Sequence, residues 1–235
     1  MSFLLFIHFA LVLGTPLKGE RAKASVTENH YDAKYFEWQK SMGITGAKFN
    51  RIFFEKEVEG KEVVADFGGG GGYMLDGFNN KRKILIELND VARNAASSGL
   101  EKYKTLDEVP KDVVDTMISS HCLEHVESPL NTLRKAYKII KRGGMIVVLV
   151  PHDEIRSVYK EKDINHHIYT WNAMTLGHLV HDAGFEIITA EEVQHQWVSE
   201  SIWNEKGANE WHRRAKEEAK NNNNYQIRVV GRKPL

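Results

Sequence analysis

Apolar residues fall along this chain in short unbroken runs separated by longer stretches with helical spacing. Residues 63–67, 83–87, 113–118 and 145–150 are Val/Ile-rich runs of strand length, and 103–105 offers a further short strand. Between them, residues 73–78, 90–98 and 129–141 carry apolar positions three and four apart, as amphipathic helices do. Gly143 and Gly144 follow the last of these and are expected to end it. Further on, 173–183 and the charged stretch 205–220 read as helices, with strands at 185–190 and 225–230 and a turn at 221–224. Residues 31–55 read as helical, broken near Gly43 and Gly46. Continuous rather than alternating apolar strands, interleaved with helices, imply an α/β domain whose mostly parallel sheet is covered on both faces.

Composition narrows the class. The chain has 235 residues, 42% hydrophobic and 27% charged, with 32 basic against 32 acidic side chains. That balance excludes a disordered tail and a strongly basic nucleic-acid binder. One cysteine, Cys122, allows no internal disulfide. Residues 1–24 form an apolar extension ahead of one domain at 25–235. Residues 3–13 are nearly all apolar but fall short of the roughly 20 needed to cross a bilayer. The expectation is a cytoplasmic protein with a bland N-terminal extension, or one targeted or membrane-associated through residues 3–13.

The candidate chemistry starts where the first strand ends, at Asp66-Phe-Gly68-Gly69-Gly70-Gly71-Gly72. Glycines there let backbone approach a ligand closely, and open α/β sheets bind ligands beyond the carboxyl ends of their strands. The dinucleotide fingerprint needs glycine at its sixth position, where Tyr73 or Met74 stands. Asp66-x-Gly68-x-Gly70-x-Gly72 is present instead. Glu87 closes the second strand, where a carboxylate can accept hydrogen bonds from both hydroxyls of a ribose.

With the segment Asp115-Thr-Met-Ile-Ser-Ser-His-Cys-Leu-Glu-His125, the segment Ile139-Ile-Lys-Arg-Gly-Gly144, and Ala183-Gly184-Phe185, these features resemble the class I S-adenosylmethionine-dependent methyltransferases. The resemblance is most specific over 63–150. It implies a Rossmann-like sheet of seven strands with an antiparallel last strand, helices on both faces and an N-terminal helical extension. It also implies S-adenosylmethionine as cofactor. Asp66 with Gly68, Gly69, Gly70 and Gly72 would hold its methionine end, Glu87 with neighbouring Leu88 its ribose, and Leu106 its adenine. Ser119 and Ser120 would line the donor pocket. Thr105 stands where the family often has Asp, and Arg142 replaces a common proline.

Strands four and five of such a sheet end near the methyl donor, where histidines gather: His121, His125, His152, His166 and His167. His121, Glu124 and His125 would share one face of a helix begun after the fourth strand. Three readings stand open. His121 or His167 is a general base, since imidazole titrates near neutral pH. Alternatively His121, Glu124, His125 and His167 bind a divalent ion, or they only fix the loop; the site is assigned without a metal. His-x-x-Glu-His also matches an inverted peptidase motif, which its place after a sheet strand argues against. Trp171, Trp197, Trp203 and Trp211 are candidates for an acceptor pocket or for core, and Tyr31 and Tyr35 for a lid over the donor. The reading is O-methylation of a small molecule or saccharide, with no nucleic-acid partner. The alternatives are a non-catalytic S-adenosylmethionine-binding module and a metal-assisted nucleic-acid methyltransferase.

Overall fold

The computed structural model describes residues 33–153, 158–161, 163 and 165–235. The expectations placed on residues 1–24 and on Tyr31 lie outside the described residues, as does the Tyr35 side chain. Among the described residues, no helix is long and apolar enough to cross a membrane.

The apolar runs form β1 (Val63–Phe67), β2 (Arg82–Ile86), β3 (Glu101–Tyr103), β4 (Val114–Ser120) and β5 (Ile140–Pro151). β6 (Glu186–Val193) and β7 (Gln226–Arg232) complete one seven-stranded sheet in the order β3-β2-β1-β4-β5-β7-β6. β1 to β5 pair in parallel, and β7 runs antiparallel between β5 and β6. Successive residues of a strand face opposite sides, and both sides here are apolar. Val63 and Ala65 pack in one core with Leu133, Ala136 and Val180, while Val64 packs in another with Val58, Leu75 and Leu100. The helices covering these faces are α1 (Ala33–Phe49), α2 (Glu55–Val58), α3 (Tyr73–Asp76), α4 (Asp90–Ala95), α5 (Pro129–Ile139), α6 (Ala173–Asp182), α7 (Glu200–Lys206) and α8 (Ala208–Asn221).

The chain leaves β1 toward β2 and β3, then returns to place β4 on the other side of β1. The connections therefore diverge at the carboxyl ends of β1 and β4 and open a crevice there. Asp66, the glycine loop and His121 all sit at that point.

Four local expectations are corrected. α1 runs unbroken through Gly43 and Gly46, whose missing side chains admit the rings of Tyr73 and Trp197 at 3.4–3.5 Å from where a Cβ would stand. α5 ends at Ile139, before the glycine pair, and Gly143 and Gly144 lie within β5. A Cβ on Gly144 would stand 2.9 Å from the Asp115 carbonyl oxygen, so that glycine serves strand approach rather than a helix cap. The charged helix is two, α7 and α8, divided at Gly207. Residues 123–125 form a 3-10 turn, not an α-helix.

Candidate active site

β1 carries Asp66 to its carboxyl end on the face covered by α1 and α3, and the chain then turns over its own carboxylate. A Cβ on Gly69 would lie 2.5 Å from Asp66 Oδ2, so only glycine lets the loop fold over it. Gly68 has φ +72° and donates its N–H to the Ile86 carbonyl at 2.8 Å. Cys122 closes the floor: a Cβ on Gly68 would meet its Sγ at 2.1 Å. Gly70, φ +55°, has nothing within 4 Å of its missing Cβ and faces open space.

These two glycines separate two kinds of constraint. Gly68→Ala is expected to destabilise the fold by about 2–4 kcal/mol, combining left-handed backbone strain with overpacking. Gly70→Ala should cost only the strain, about 1–2 kcal/mol. Urea unfolding of both variants and of Gly68→Ala/Cys122→Gly checks this. If the double variant is no more stable than Gly68→Ala, the contact with Cys122 is not the cause.

Beyond the loop lies a cavity of about 690 Å³, within the range that holds a nucleoside-sized ligand, bordered by Gly68, Gly70, Glu87, Leu88, Thr105, Leu106 and His121. Glu87 sits just past β2. Its Oε2 accepts from Gly70 N–H and its Oε1 from Asn89 N–H, both at 2.8 Å. Asn89 also caps α4, its side-chain oxygen accepting from the N–H groups of Val91 and Ala92 at 2.9 and 3.0 Å. A carboxylate offers about four lone-pair positions, so two remain for a diol. Burial raises the Glu87 carboxyl above its usual range, opposed by these amide hydrogen bonds. Burial, and next the charge of Glu87, push Asp66 up to about 7. A ligand with a cationic end would favour its ionised form.

A smaller cavity of about 260 Å³ adjoins the other side of the loop, bordered by Asp66, Gly68 to Gly71, Ser120, His121, Glu124, His125, His167 and Trp197. Although residues 123–125 are 3-10, the turn gathers the expected cluster. His121, with φ +51°, ties its N–H to the Leu149 carbonyl at 2.8 Å. Its Nε2 is 2.9 Å from Gln226 Oε1, an acceptor, so Nε2 is assigned the hydrogen and Nδ1 the lone pair. His167 Nδ1 donates to Asp153 Oδ2 at 2.9 Å, which leaves Nε2 as its accepting nitrogen. The Glu124 main-chain carbonyl accepts from Ile168 and Tyr169 N–H groups at 2.9 and 3.2 Å, holding the His167 segment against the turn. Burial lowers His121, opposed by the Gln226 bond, and burial takes His125 down to about 4. The Asp153 hydrogen bond raises His167, and burial raises Glu124 to about 8.

Of the sequence candidates, Gly68, Gly70, Glu87, Leu88 and Leu106 border the larger cavity. Asp66, Gly69, Ser120 and His167 border the smaller one, and Gly68, Gly70 and His121 border both. Ser119 borders neither, because its hydroxyl donates to the Phe67 carbonyl at 3.1 Å. Gly72 borders neither and caps α3. Of the tryptophans, Trp171 and Trp211 are core, Trp211 stacking on Phe49 at 3.8 Å, and Trp203 packs at the edge of that cluster. Trp197 alone among these four reaches a cavity, its Nε1 donating to Asn50 at 3.1 Å. Sequence reasoning missed Asn89, Gln226, Asp153 and Cys122. Asn89 had a signal, an Asn before a helical run. The others act through contacts distant in sequence.

A family model described as a methyltransferase domain matches residues 35–190. No curated protein matches the chain. Solved structures with the same fold include the methyltransferase of the Haloferax volcanii complex with the Trm112 methyltransferase activator, with TM-score 0.67 and 19% identity over 89% of this chain and 98% of that one. A SAM-dependent methyltransferase from Archaeoglobus fulgidus has TM-score 0.57 and 18% identity, over 85% of this chain and 99% of that one. Phosphoethanolamine N-methyltransferase 2 of Haemonchus contortus, in complex with phosphomonomethylethanolamine and S-adenosylhomocysteine, has TM-score 0.62 and 12% identity, over 89% of this chain and 60% of that one.

Proposed function

The chain belongs to the methyltransferase domain family and is an S-adenosylmethionine-dependent enzyme, and from that premise we propose that it methylates an oxygen of a small-molecule or saccharide acceptor. When bound, S-adenosylmethionine supplies a methyl group on a cationic sulfur that leaves as a neutral thioether. The residues of the larger cavity, with Asp66 across the glycine loop on the smaller one, fit that donor. Glu87 has two lone pairs left for a ribose diol, Leu106 and Thr105 border an adenine slot, and Asp66 under the glycine loop offers a carboxylate to an ammonium group.

The observation that carries the acceptor assignment is the position of His121. Two imidazoles, His121 and His125, border both cavities; burial takes His125 down to about 4, whereas His121 has its Nε2 anchored on Gln226, so its Nδ1 is the nitrogen able to take a proton. An acceptor hydroxyl in the smaller cavity would give that proton up as its oxygen gains the methyl group. Alignment and partial exclusion of water supply most of the rate in such a displacement. Trp197 at the rim offers an aromatic face to a sugar ring. The balance of 32 basic and 32 acidic residues supports a small acceptor over a nucleic acid.

The test is S-adenosylhomocysteine release with hydroxyl-bearing saccharides and phenols, beside an RNA oligonucleotide. His121→Ala is expected to lose about a hundredfold or more in turnover, with donor affinity kept within about threefold by calorimetry. Unchanged turnover would return His121 to a structural role. Tight donor binding without release on any acceptor would favour the non-catalytic module.

A further inference from the structure

Glu124 presents an unusual combination. Its side chain is 1% exposed, and neither carboxylate oxygen has a hydrogen-bond partner. What surrounds it is imidazole nitrogen: His125 Nε2 at 3.7 Å and His121 Nδ1 at 3.8 Å from Oε1. These separations are too long for hydrogen bonds. The His125 separation is near what two ligands show when each lies about 2.0–2.2 Å from one tetrahedral ion. His125 and His167 stand with ring centroids 4.9 Å apart, and Glu124, His125 and His167 each place a ligand atom within 4.8 Å of the others.

We propose that Glu124, His125 and His167 hold one divalent first-row transition-metal ion, whose open coordination positions face the smaller cavity and take oxygen atoms of the acceptor.

Three further features support this. The His167–Asp153 bond leaves Nε2 to coordinate, and a metal-binding histidine ordinarily donates its other nitrogen to a carboxylate or carbonyl in this way. Two imidazoles and one carboxylate suit zinc, cobalt, nickel or iron better than magnesium or calcium, which prefer all-oxygen sites. The three residues also border the same cavity as the glycine loop, so an ion there would be reachable from the acceptor side. A bound ion would satisfy the orphaned carboxylate and orient an acceptor carrying neighbouring oxygens, such as a vicinal diol, toward His121. The naming of that oxygen ligand as methyl acceptor rests on the proposed function; the ion site does not.

The experiment uses the full chain stripped with a chelator. Cobalt(II) is added while the visible ligand-field band is followed, zinc(II) is titrated by calorimetry, and S-adenosylmethionine binding is measured in parallel. One ion per chain is expected. Glu124→Gln, which keeps the shape of the buried side chain, and His167→Ala should each weaken binding by about a hundredfold or more. Asp153→Asn, which touches no ion, should weaken it by about 10- to 100-fold, with circular dichroism reporting the fold of each variant. Adding catechol, a bidentate oxygen probe, should shift the cobalt band. No band and no heat with the wild-type chain, or full affinity in folded Glu124→Gln, would overturn the site. A band indifferent to catechol would overturn its open positions. Cobalt binding without donor binding would count against the methyltransferase reading alone, and donor binding without cobalt against the ion alone.

Discussion

Glu87→Ala is expected to weaken S-adenosylmethionine binding by at least about a hundredfold, or about 2.7 kcal/mol, because hydrogen bonds to a charged group contribute about 1.5–3 kcal/mol each. On the proposed assignment the carboxylate serves two sets of partners. Gly70 and Asn89 amides hold it from the protein side, both at 2.8 Å, and two lone pairs remain for the ribose hydroxyls. Truncation removes the diol acceptor and also leaves the Gly70 and Asn89 donors without it, loosening both the glycine loop and the start of α4. Glu87→Gln separates these losses. It keeps one acceptor oxygen, but its amide NH₂ must confront either an amide donor or a ribose hydroxyl, so a loss of about tenfold is expected. Calorimetric titration of the three proteins decides the matter. Binding by Glu87→Ala within threefold of wild type would remove Glu87 from the ribose site.

The parts of this site that could be read from the sequence are those fixed by local geometry. A Val-rich run ending in Asp66 and glycines specifies a strand entering a turn that side chains would block, and the structure has Gly68 and Gly70 at positive φ there. Glu87, expected to close the next strand, lies just past β2 with its carboxylate on the Gly70 and Asn89 amides. The seven-stranded sheet with an antiparallel β7 followed from the family resemblance rather than from any one segment. Elements whose limits depend on distant partners were misread. Gly143 and Gly144 look like a helix stop, yet Gly144 is small because the Asp115 backbone passes beside it. The spacing of His121, Glu124 and His125 suggested an α-helical face, and the cluster forms instead on a 3-10 turn secured from outside by Leu149, Gln226 and residues 168–169. Ser119 reads like its neighbour Ser120, but strand alternation turns it to the opposite side, onto the Phe67 carbonyl. Gln226 orients His121 from β7, 105 residues on, and Asp153 orients His167 from the loop just past β5, and no local pattern announces them.

Donor affinity is expected to fall about tenfold between pH 8 and pH 6, and this loss should disappear in Asp66→Asn. Asp66 is 3% exposed, and burial with the facing Glu87 carboxylate pushes its carboxyl up to about 7; Cys122 is the other titratable group beside it, its thiol held protonated by burial. The sign follows from which form the donor needs. The folded value lies above the ordinary 3.8, so the donor-free fold keeps a proton that the unfolded chain releases. The associated stability is complete below about pH 4 and is lost as pH rises through about 7. Donor binding pulls the other way, since an ammonium group above the carboxylate favours its ionised form. Below about pH 7 binding must first expel the proton, at a cost approaching a factor of ten per pH unit. At pH 7 about half a proton should therefore be released per donor bound, read from calorimetric heats in buffers of different ionisation enthalpy. Asp66→Asn cannot release it, and its affinity should lie about 10- to 100-fold below that of the wild type at pH 8. Titrations from pH 6 to 8 on both proteins separate this effect from ionisation of the donor itself and of the histidines, which the two share. Parallel pH profiles would show that Asp66 is not the group facing the donor's cationic end.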